Sequence, residues 1–299
     1  MSNYAYVATR ARSRRSRLLP AEAYNQLLNL EHAEIARYIQ DLEYRREIDR
    51  YGSTLSGADL IETALVDNLA KDVGDFLSFS KGKLRDILHV YAEKYRIENL
   101  KNIVRGINQN MDKQNLERLV CPINDSDKEL YNKLYDSKTI EDMIASLEGT
   151  SYYNPLKKAL EARNSDSLQP LEDALDLIYY QNLVSNQPSG GADVEVYRDF
   201  VQLKVDIANI KTLLRMRHRG IGAHDELLIG GGTLSTDLLS STQSLDDLLT
   251  SLEGSKYFEL LEPHLKPDSI DLNSCGTREP FSLCGSLPAE VSIFFIFTL

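Results

Sequence analysis

The chain lacks several features that define large classes of protein. It has no tryptophan and only three cysteines in 299 residues, too few for the disulfide framework of a small secreted protein. It has no run of about 18 apolar residues, so no membrane-spanning helix is predicted. Acidic residues outnumber basic ones by 45 to 34, which disfavours general nucleic-acid binding because phosphates require a dominant positive charge. These absences predict a soluble, acidic, cytoplasmic protein.

One strongly basic segment lies close to the N-terminus. Five arginines fall within eight residues and precede the first acidic residue, Glu22: Arg10, Arg12, Arg14, Arg15 and Arg17. Such a segment is typical of a solvated helix face or of an organelle transit peptide. On the mature protein it would form a local positive patch, suited to an acidic partner or to anionic lipid headgroups.

Helical spacing dominates the apolar pattern, and strand signals are sparse. Apolar residues recur at steps of three and four between Leu84 and Tyr95, and again between Leu168 and Leu183. The chain has neither sustained alternation of β-branched residues nor an Asn-Gly hairpin turn between apolar runs. The sequence therefore predicts an all-α fold with loops at 51–57, 121–127, 186–192 and 220–233.

Two sequence motifs each occur twice, in the same order. KYRIENLKNIVR at 94–105 shares five identical positions with KVDIANIKTLLR at 204–215, and DMIASLEGTSYY at 142–153 matches DLLTSLEGSKYF at 247–258. The offsets of 110 and 105 residues are nearly equal, as expected of structural repeats. A weaker first copy lies at 35–44. We therefore expect three similar helical domains, at 1–115, 116–222 and 223–299.

The third of these domains is expected to be incomplete or aberrant. The spacing of the earlier copies places its asparagine helix at about 309–314, beyond Leu299. From about residue 266 the helical period is lost, and two cysteines, Cys275 and Cys284, lie there among four phenylalanines. We interpret this segment as an atypical C-terminal tail.

The sequence predicts how the repeated polar residues are placed and bonded. Asn99 and Asn209 are flanked by aliphatic residues, so each amide is expected to be partly buried and bonded to a neighbouring helix or a loop carbonyl. Four basic residues follow on a shared helix face: Lys101, Arg105, Lys211 and Arg215. They form either a repeated basic contact surface or ion pairs with acids of an adjacent helix. The glycine of each Leu-Glu-Gly triplet is expected to end a helix in the left-handed conformation, and the aromatic pair that follows is expected to fill the core.

Motifs that carry chemistry are missing from the chain. The Gly230-Gly231-Gly232 run lacks the Lys-Ser/Thr of a phosphate loop, and Gly220-Ile221-Gly222 lacks the third glycine of a dinucleotide fingerprint. None of the five histidines has a second histidine four residues away, the spacing of a helical metal site. No serine has the hydrolase nucleophile elbow. We therefore predict no catalytic, cofactor-binding or metal site, and a helical enzyme is the alternative that these absences disfavour.

Several segments resemble those of a known family. YAYVATRARSRRSRLLPAEAY at 4–24, DLIETALVDNLA at 59–70, DIANIKTLLR at 206–215 and ELLIGGGTL at 226–234 are similar to the C subunit of archaeal A-type ATP synthases. That family includes the C subunit of bacterial V-type enzymes and is related to the d subunit of the vacuolar ATPase. The resemblance runs from about residue 4 to 265. It implies an all-helical protein of three similar domains in a funnel-like arrangement with pseudo-threefold symmetry.

The resemblance also implies a function. It predicts a non-catalytic rotor subunit that couples the membrane proteolipid (c/K) ring to the central-shaft subunits D and F. Such a protein would lie peripherally on the cytoplasmic face of the cell membrane, without a cofactor and without nucleic acid. The arginine-rich start is then a candidate contact with the ring or with lipid headgroups. The alternative is a free-standing helical-repeat adaptor unrelated to the rotary enzyme.

Overall fold

The computed structural model describes residues 3–163, 167–186, 192–218 and 227–265. Over these ranges the regular secondary structure is helical and no strand occurs, so the all-α prediction is confirmed. The α-helices of the described residues, α1 to α15 in chain order, are Tyr4–Arg15, Ala21–Leu27, His32–Gln40, Arg45–Tyr51, Gly57–Phe79, Lys83–Asn108, Lys113–Leu119, Asp125–Leu134, Ile140–Ala145, Tyr153–Glu161, Gln169–Ser185, Ala192–His218, Thr236–Ser241, Leu245–Ser251 and Lys256–Leu265.

The chain folds as two compact units, one reaching to Tyr179 and the other beginning at Tyr180. The division falls within α11. The domain boundaries expected at 115 and 222 stay predictions, and the atypical tail from 266 lies outside the described residues.

In the first unit, a small core forms where α3 and α4 pack against α5. Its buried members are aliphatic side chains and alanines from all three helices: Ala36, Ile39, Ile48, Leu60 and Ala64. Leu60 and Ala64 are four residues apart, so they lie on one face of α5 and leave the opposite face to other contacts. Burying each large aliphatic side chain contributes about 1.5–3 kcal/mol.

The second unit has its own core around α12. Ile210 and Leu213 of α12 pack with residues of α13 to α15 and of the turn after α14: Leu239, Leu248, Leu252 and Tyr257. The apolar face of α12 and the leucine of the second Leu-Glu-Gly motif, Leu252, therefore pack in one cluster.

The Leu-Glu-Gly triplets follow α9 and α14 in the way the sequence predicts. Gly149 has φ +84° and Gly254 has φ +77°, the left-handed region that a side chain disfavours. Tyr152 and Tyr257, which follow, are buried. The prediction of a left-handed glycine is confirmed. The prediction that each aromatic pair fills the core is confirmed for its first member only, because Tyr153 and Phe258 are partly buried.

The predicted loops are partly confirmed. Residues 52–56 separate α4 from α5 as expected. The loop predicted at 121–127 is too long, because α8 begins at Asp125. The side chain of Asn124 caps this helix by accepting a hydrogen bond from the Asp127 amide at 2.9 Å. Because of this cap, the helix starts at Asp125, inside the segment that was predicted to be a loop. The loop predicted at 186–192 lies largely outside the described residues. Of the loop predicted at 220–233, residues 227–233 are described and contain no α-helix, as expected.

No helix in the described part of the chain combines the length and the apolar character needed to cross a lipid bilayer.

Candidate functional site

Asn99 on α6 holds the chain segment that follows α7 by two hydrogen bonds. Its Nδ2 donates to the carbonyl oxygen of Cys121 at 2.8 Å, and the Cys121 amide donates to its Oδ1 at 3.1 Å. Asn209 on α12 makes the same two bonds with Ile229, each at 2.8 Å. We call each pair of bonds an asparagine clamp. The predicted burial and loop bonding of both amides are confirmed.

A partly buried ionic network surrounds the first clamp. Arg96, one turn before Asn99, donates to Asp127 at 2.6 and 2.9 Å and to Glu93 at 2.9 Å. Glu93 in turn accepts a hydrogen bond from the Tyr152 hydroxyl. Burial alone lowers the pKa of the Arg96 guanidinium, but the nearby negative charges outweigh burial and the net pKa is raised. The arginine therefore stays charged and joins α6 to α8 and to the start of α10.

The second clamp has a carboxylate where the first has the arginine. Asp206 occupies the repeat position equivalent to Arg96 and is fully buried. It accepts hydrogen bonds from the amides of Thr233 and Leu234 at 3.1 and 3.0 Å and from the Tyr257 hydroxyl at 2.9 Å. A buried carboxylate with several donors is well satisfied. The charged residue three positions before each clamp asparagine thus has opposite sign in the two units: Arg96 holds the first turn of α8, and Asp206 holds the loop at 233–234.

The basic face after Asn99 is paired with acids of α11. Lys101 is buried and its Nζ lies 2.6 Å from Asp176. Arg105 makes two bonds of 2.8 Å to the carboxylate of Glu172. For these two residues, the structure shows ion pairing with an adjacent helix.

The equivalent residues of α12 are placed differently. Lys211 and Arg215 are half-buried on that helix, and Arg215 donates to Thr212 at 3.4 Å. A role for Lys211 and Arg215 in contacts with another molecule stays a prediction.

Two arginines of the arginine-rich start, Arg10 and Arg14, contact α5. Arg10 stacks on the rings of Tyr6 and Phe79, with its guanidinium carbon 5.4 and 5.1 Å from their centres. Arg14 stacks on Phe76 and pairs with the carboxylates of two α5 residues: Asp72 at 3.2 Å and Asp75 at 2.5 Å. Arg10 and Arg14 therefore fasten α1 to α5.

The other three arginines are exposed, and so is Arg10. Arg17, in the turn after α1, pairs with Glu43 at 2.8 Å, and both side chains are about half exposed. Arg12 and Arg15 are exposed on α1. Arg10, Arg12, Arg15 and Arg17 are therefore the members of the patch that another molecule can reach.

A groove at the end of α1 was not predicted from the sequence. It encloses a cavity of about 340 Å³ between the end of α1, the middle of α5 and the turn before α4. Three separate stretches of chain form it, at 14–18, 43–44 and 65–72. The signal for it in the sequence is the arginine cluster, which contributes Arg14 and Arg17.

The described residues contain no cluster of three or more His, Cys, Asp or Glu side chains placed to hold a metal ion. Cys121 is a poor candidate nucleophile, because burial raises the pKa of its thiol to about 12 and its Sγ lies 3.1 Å from the carbonyl oxygen of Val66. A protonated thiol is unreactive.

Comparison with known proteins places the chain in a family. The sequence profile described as "ATP synthase (C/AC39) subunit" matches residues 7–274. The resemblance therefore extends past residue 265. Our expectation that the family resemblance ends at about residue 265 was wrong, because a segment can lose the helical period and still be similar to the family.

Several archaeal relatives are named as the C subunit of the A-type ATP synthase. The protein of Haloferax volcanii is 34% identical over 268 residues, covering 88% of this chain and 77% of the relative. That of Archaeoglobus fulgidus is 34% identical over 257 residues, covering 84% and 73%. That of Methanosarcina mazei is 31% identical over 283 residues, covering 93% and 77%. The chain belongs to the ATP synthase (C/AC39) subunit family, a family of non-catalytic subunits of the rotary ATP synthase.

Proposed function

We propose that this chain is the rotor subunit that joins the membrane proteolipid ring to the central-shaft subunits D and F. Membership of the family indicates that the partners of this chain lie within the rotary complex. Our proposal goes further and includes the named partners and a peripheral position on the cytoplasmic face of the membrane. In that position the chain would transmit torque and catalyse nothing.

The observation that carries the proposal is the pair of asparagine clamps. A protein that couples two rotating bodies must transmit torque without deforming, so its long helices need fixed attachments to the surrounding loops. In each clamp, two hydrogen bonds to a buried asparagine amide hold the backbone of one loop residue against the long helix. Satisfied buried polar groups of this kind favour one rigid arrangement over alternatives.

The ion pairs of the first unit support the same role. Lys101 and Arg105 tie α6 to α11, and Arg96 ties it to α8. One 26-residue helix is thus anchored along its second half by three basic side chains. This arrangement suits a stiff adaptor between two larger bodies.

The three-domain, funnel-like arrangement remains part of the proposal. Its support is the repetition of helix, clamp and Leu-Glu-Gly turn in two places. The exposed members of the basic patch, Arg10, Arg12, Arg15 and Arg17, are the proposed contacts with the ring or with headgroups. Lys211 and Arg215 are further candidates.

Reconstitution of the complex with and without this chain tests the proposal. Without it, we expect the catalytic head to keep hydrolysing ATP while ATP-driven ion pumping into vesicles stops, because rotation no longer reaches the ring. Adding the purified chain back should restore pumping. Unchanged pumping in its absence, or a chain that never co-purifies with the complex, would favour the free-standing adaptor instead.

A further inference from the structure

We infer that one exposed face of α1 binds the phosphate groups of anionic lipids, and that the guanidinium of Arg10 is its main contact. The inference rests on the proposed function for a position beside the membrane, and on the structure for the residues and their chemistry. We call this feature the α1 face. Its members, all exposed on α1 or in the turn that follows it, are Tyr6, Arg10, Arg12, Ser13, Ser16 and Arg17.

The guanidinium of Arg10 is held in one orientation by two aromatic rings. The rings of Tyr6 and Phe79 lie 5.8 Å apart at an angle of 88°, and the guanidinium carbon lies 5.4 and 5.1 Å from their centres. The Nε of Arg10 also donates a hydrogen bond to the Tyr6 hydroxyl at 3.0 Å. An arginine stacked on rings keeps its charge while its plane is restrained. Less conformational entropy is therefore lost when an anion binds to it.

The outer edge of the same guanidinium is open. Within the part of the chain that the structure describes, Nε has the Tyr6 hydroxyl but neither Nη atom of Arg10 has a hydrogen-bond or ion-pair partner. Two neighbouring guanidinium nitrogens bind two oxygens of one phosphate through parallel hydrogen bonds. Ser13 follows Arg10 by one helical turn and is exposed, so its hydroxyl can add a donor beside the same anion. The pair of nitrogens is thus prepared for an oxyanion.

The α1 face carries no acidic residue of its own. The first acidic residue of the chain is Glu22. Of the carboxylates on neighbouring elements, Asp72 and Asp75 pair with Arg14, and Glu43 pairs with Arg17. Arg10 and Arg12 have no such pairing among the described residues, so their charges are not compensated within the protein. Because the whole chain has a net charge of −11, an anionic surface would attract this face and repel the rest of the molecule.

The arrangement of the charges favours a lipid surface over an acidic peptide. Tyr6, Arg10, Ser13 and Arg17 follow one another at steps of four, three and four residues, which places them in a row along one side of the helix. A row of cations can meet several separate phosphates in one plane, and each cation adds to binding. Tyr6 is 49% exposed, and a tyrosine with an apolar ring and a polar tip suits the headgroup layer.

Sedimentation of the full chain with lipid vesicles tests the inference. We expect vesicles of phosphatidylcholine and phosphatidylglycerol to bind the chain at least about tenfold more tightly than vesicles of phosphatidylcholine alone. Arg10→Gln should weaken binding to the anionic vesicles about fivefold, since it removes one cation from the surface. Arg10→Lys keeps the charge but loses the paired nitrogens, and should weaken binding about twofold to threefold.

A matched control separates the α1 face from the net charge of the chain. Arg118→Gln makes the same change of charge at an exposed position on α7, and its binding should stay within about 1.5-fold of the unchanged chain. Circular dichroism checks that each variant folds. If Arg10→Gln does not fold, Arg12→Gln replaces it, because that variant removes a charge from the same face without disturbing the ring contacts, and it should also weaken binding.

Several outcomes would overturn the inference. Equal binding to the two kinds of vesicle would exclude the lipid and leave the proteolipid ring as the contact of this face. Equal loss of binding by the α1 variants and by Arg118→Gln would exclude a specific face, and full binding by Arg10→Lys would exclude the role of the paired nitrogens. Saturable binding of inorganic phosphate alone, measured by calorimetry, would indicate a site for a free anion instead.

The proposed function fails in a different experiment. Vesicle binding is measured without the ring and the shaft, whereas the proposed function is tested by ATP-driven pumping in the reconstituted complex. Pumping that depends on the chain, together with no preference for anionic vesicles, overturns this inference alone. Pumping that does not depend on the chain overturns the proposed function, whatever the vesicles show.

Discussion

Asn99 and Asn209, 110 residues apart in the chain, make the same pair of hydrogen bonds to the backbone of a single residue. The partners are Cys121 and Ile229, which lie 22 and 20 residues further along. The repeat therefore preserves a contact as well as a sequence, since helix, loop and bonding pattern recur together. A side-chain amide is suited to this because it offers one donor and one acceptor side by side.

Removal of a clamp should loosen its own loop. Asn99→Ala leaves the Cys121 amide and carbonyl without their partner, and we expect the free energy of unfolding to fall by about 2–4 kcal/mol. Hydrogen exchange at the Cys121 amide should accelerate strongly while exchange at the Ile229 amide is unchanged. Asn209→Ala should give the reverse pattern, and Asn25→Ala on exposed α2 is the control. Equal acceleration at both amides in either variant would show that the clamps are not local.

Gly232 permits the close approach of the loop to Asp206. A Cβ at this position would lie 2.1 Å from Asp206 Oδ1, whereas a Cβ on Gly230 would meet nothing within 4 Å. We expect Gly232→Ala to destabilise the protein by about 1–3 kcal/mol, since the loop must shift away from a buried carboxylate. Gly230→Ala should be nearly neutral. Thermal unfolding of the two variants makes the comparison, and equal melting temperatures would contradict it.

The two ion pairs between α6 and α11 should differ in strength. The side chain of Lys101 is 8% exposed and that of Arg105 is 44% exposed, so water screens the second pair more. Double-mutant cycles with Lys101→Met and Asp176→Asn should give a coupling of about 1–2 kcal/mol. The cycle with Arg105→Met and Glu172→Gln should give about 0.5 kcal/mol. Urea-induced unfolding measures both, and a larger coupling for the exposed pair would overturn this ranking.

The sequence predicts local features of this protein better than its surfaces. The clamps, the left-handed glycines and the buried tyrosines each depend on a few neighbouring residues, so repetition and apolar spacing reveal them. Which carbonyl Asn99 would bind was not predictable, because that depends on how the following loop returns to α6. The roles of Arg96 and Asp206, which occupy equivalent repeat positions, were not predicted for a related reason. Each charge is stabilised by partners that are distant in the sequence, and these are known only from the fold.

The groove at the end of α1 could not be predicted from the sequence for the same reason. Leu18, Glu43 and Leu69 are separated by 25 and 26 residues, and no periodicity connects them. Only the packing of α1 on α5 brings them together. The arginine cluster gave a partial signal, but it did not distinguish Arg10 and Arg14, which hold the helix, from Arg12 and Arg15, which face solvent.

The Cys121 thiol should be nearly inert in the folded protein at neutral pH. Burial raises its pKa to about 12, so it stays protonated through the physiological range and becomes a thiolate only near that value. Compared with an ordinary thiol of pKa about 8.5, its thiolate fraction at pH 7.5 is lower by roughly a thousandfold or more. In a Cys275→Ser, Cys284→Ser background, alkylation of Cys121 by iodoacetamide should therefore be very slow at pH 7.5. It should become rapid once urea unfolds the chain and restores an ordinary pKa. Rapid labelling of the folded protein would contradict both the burial and the raised pKa.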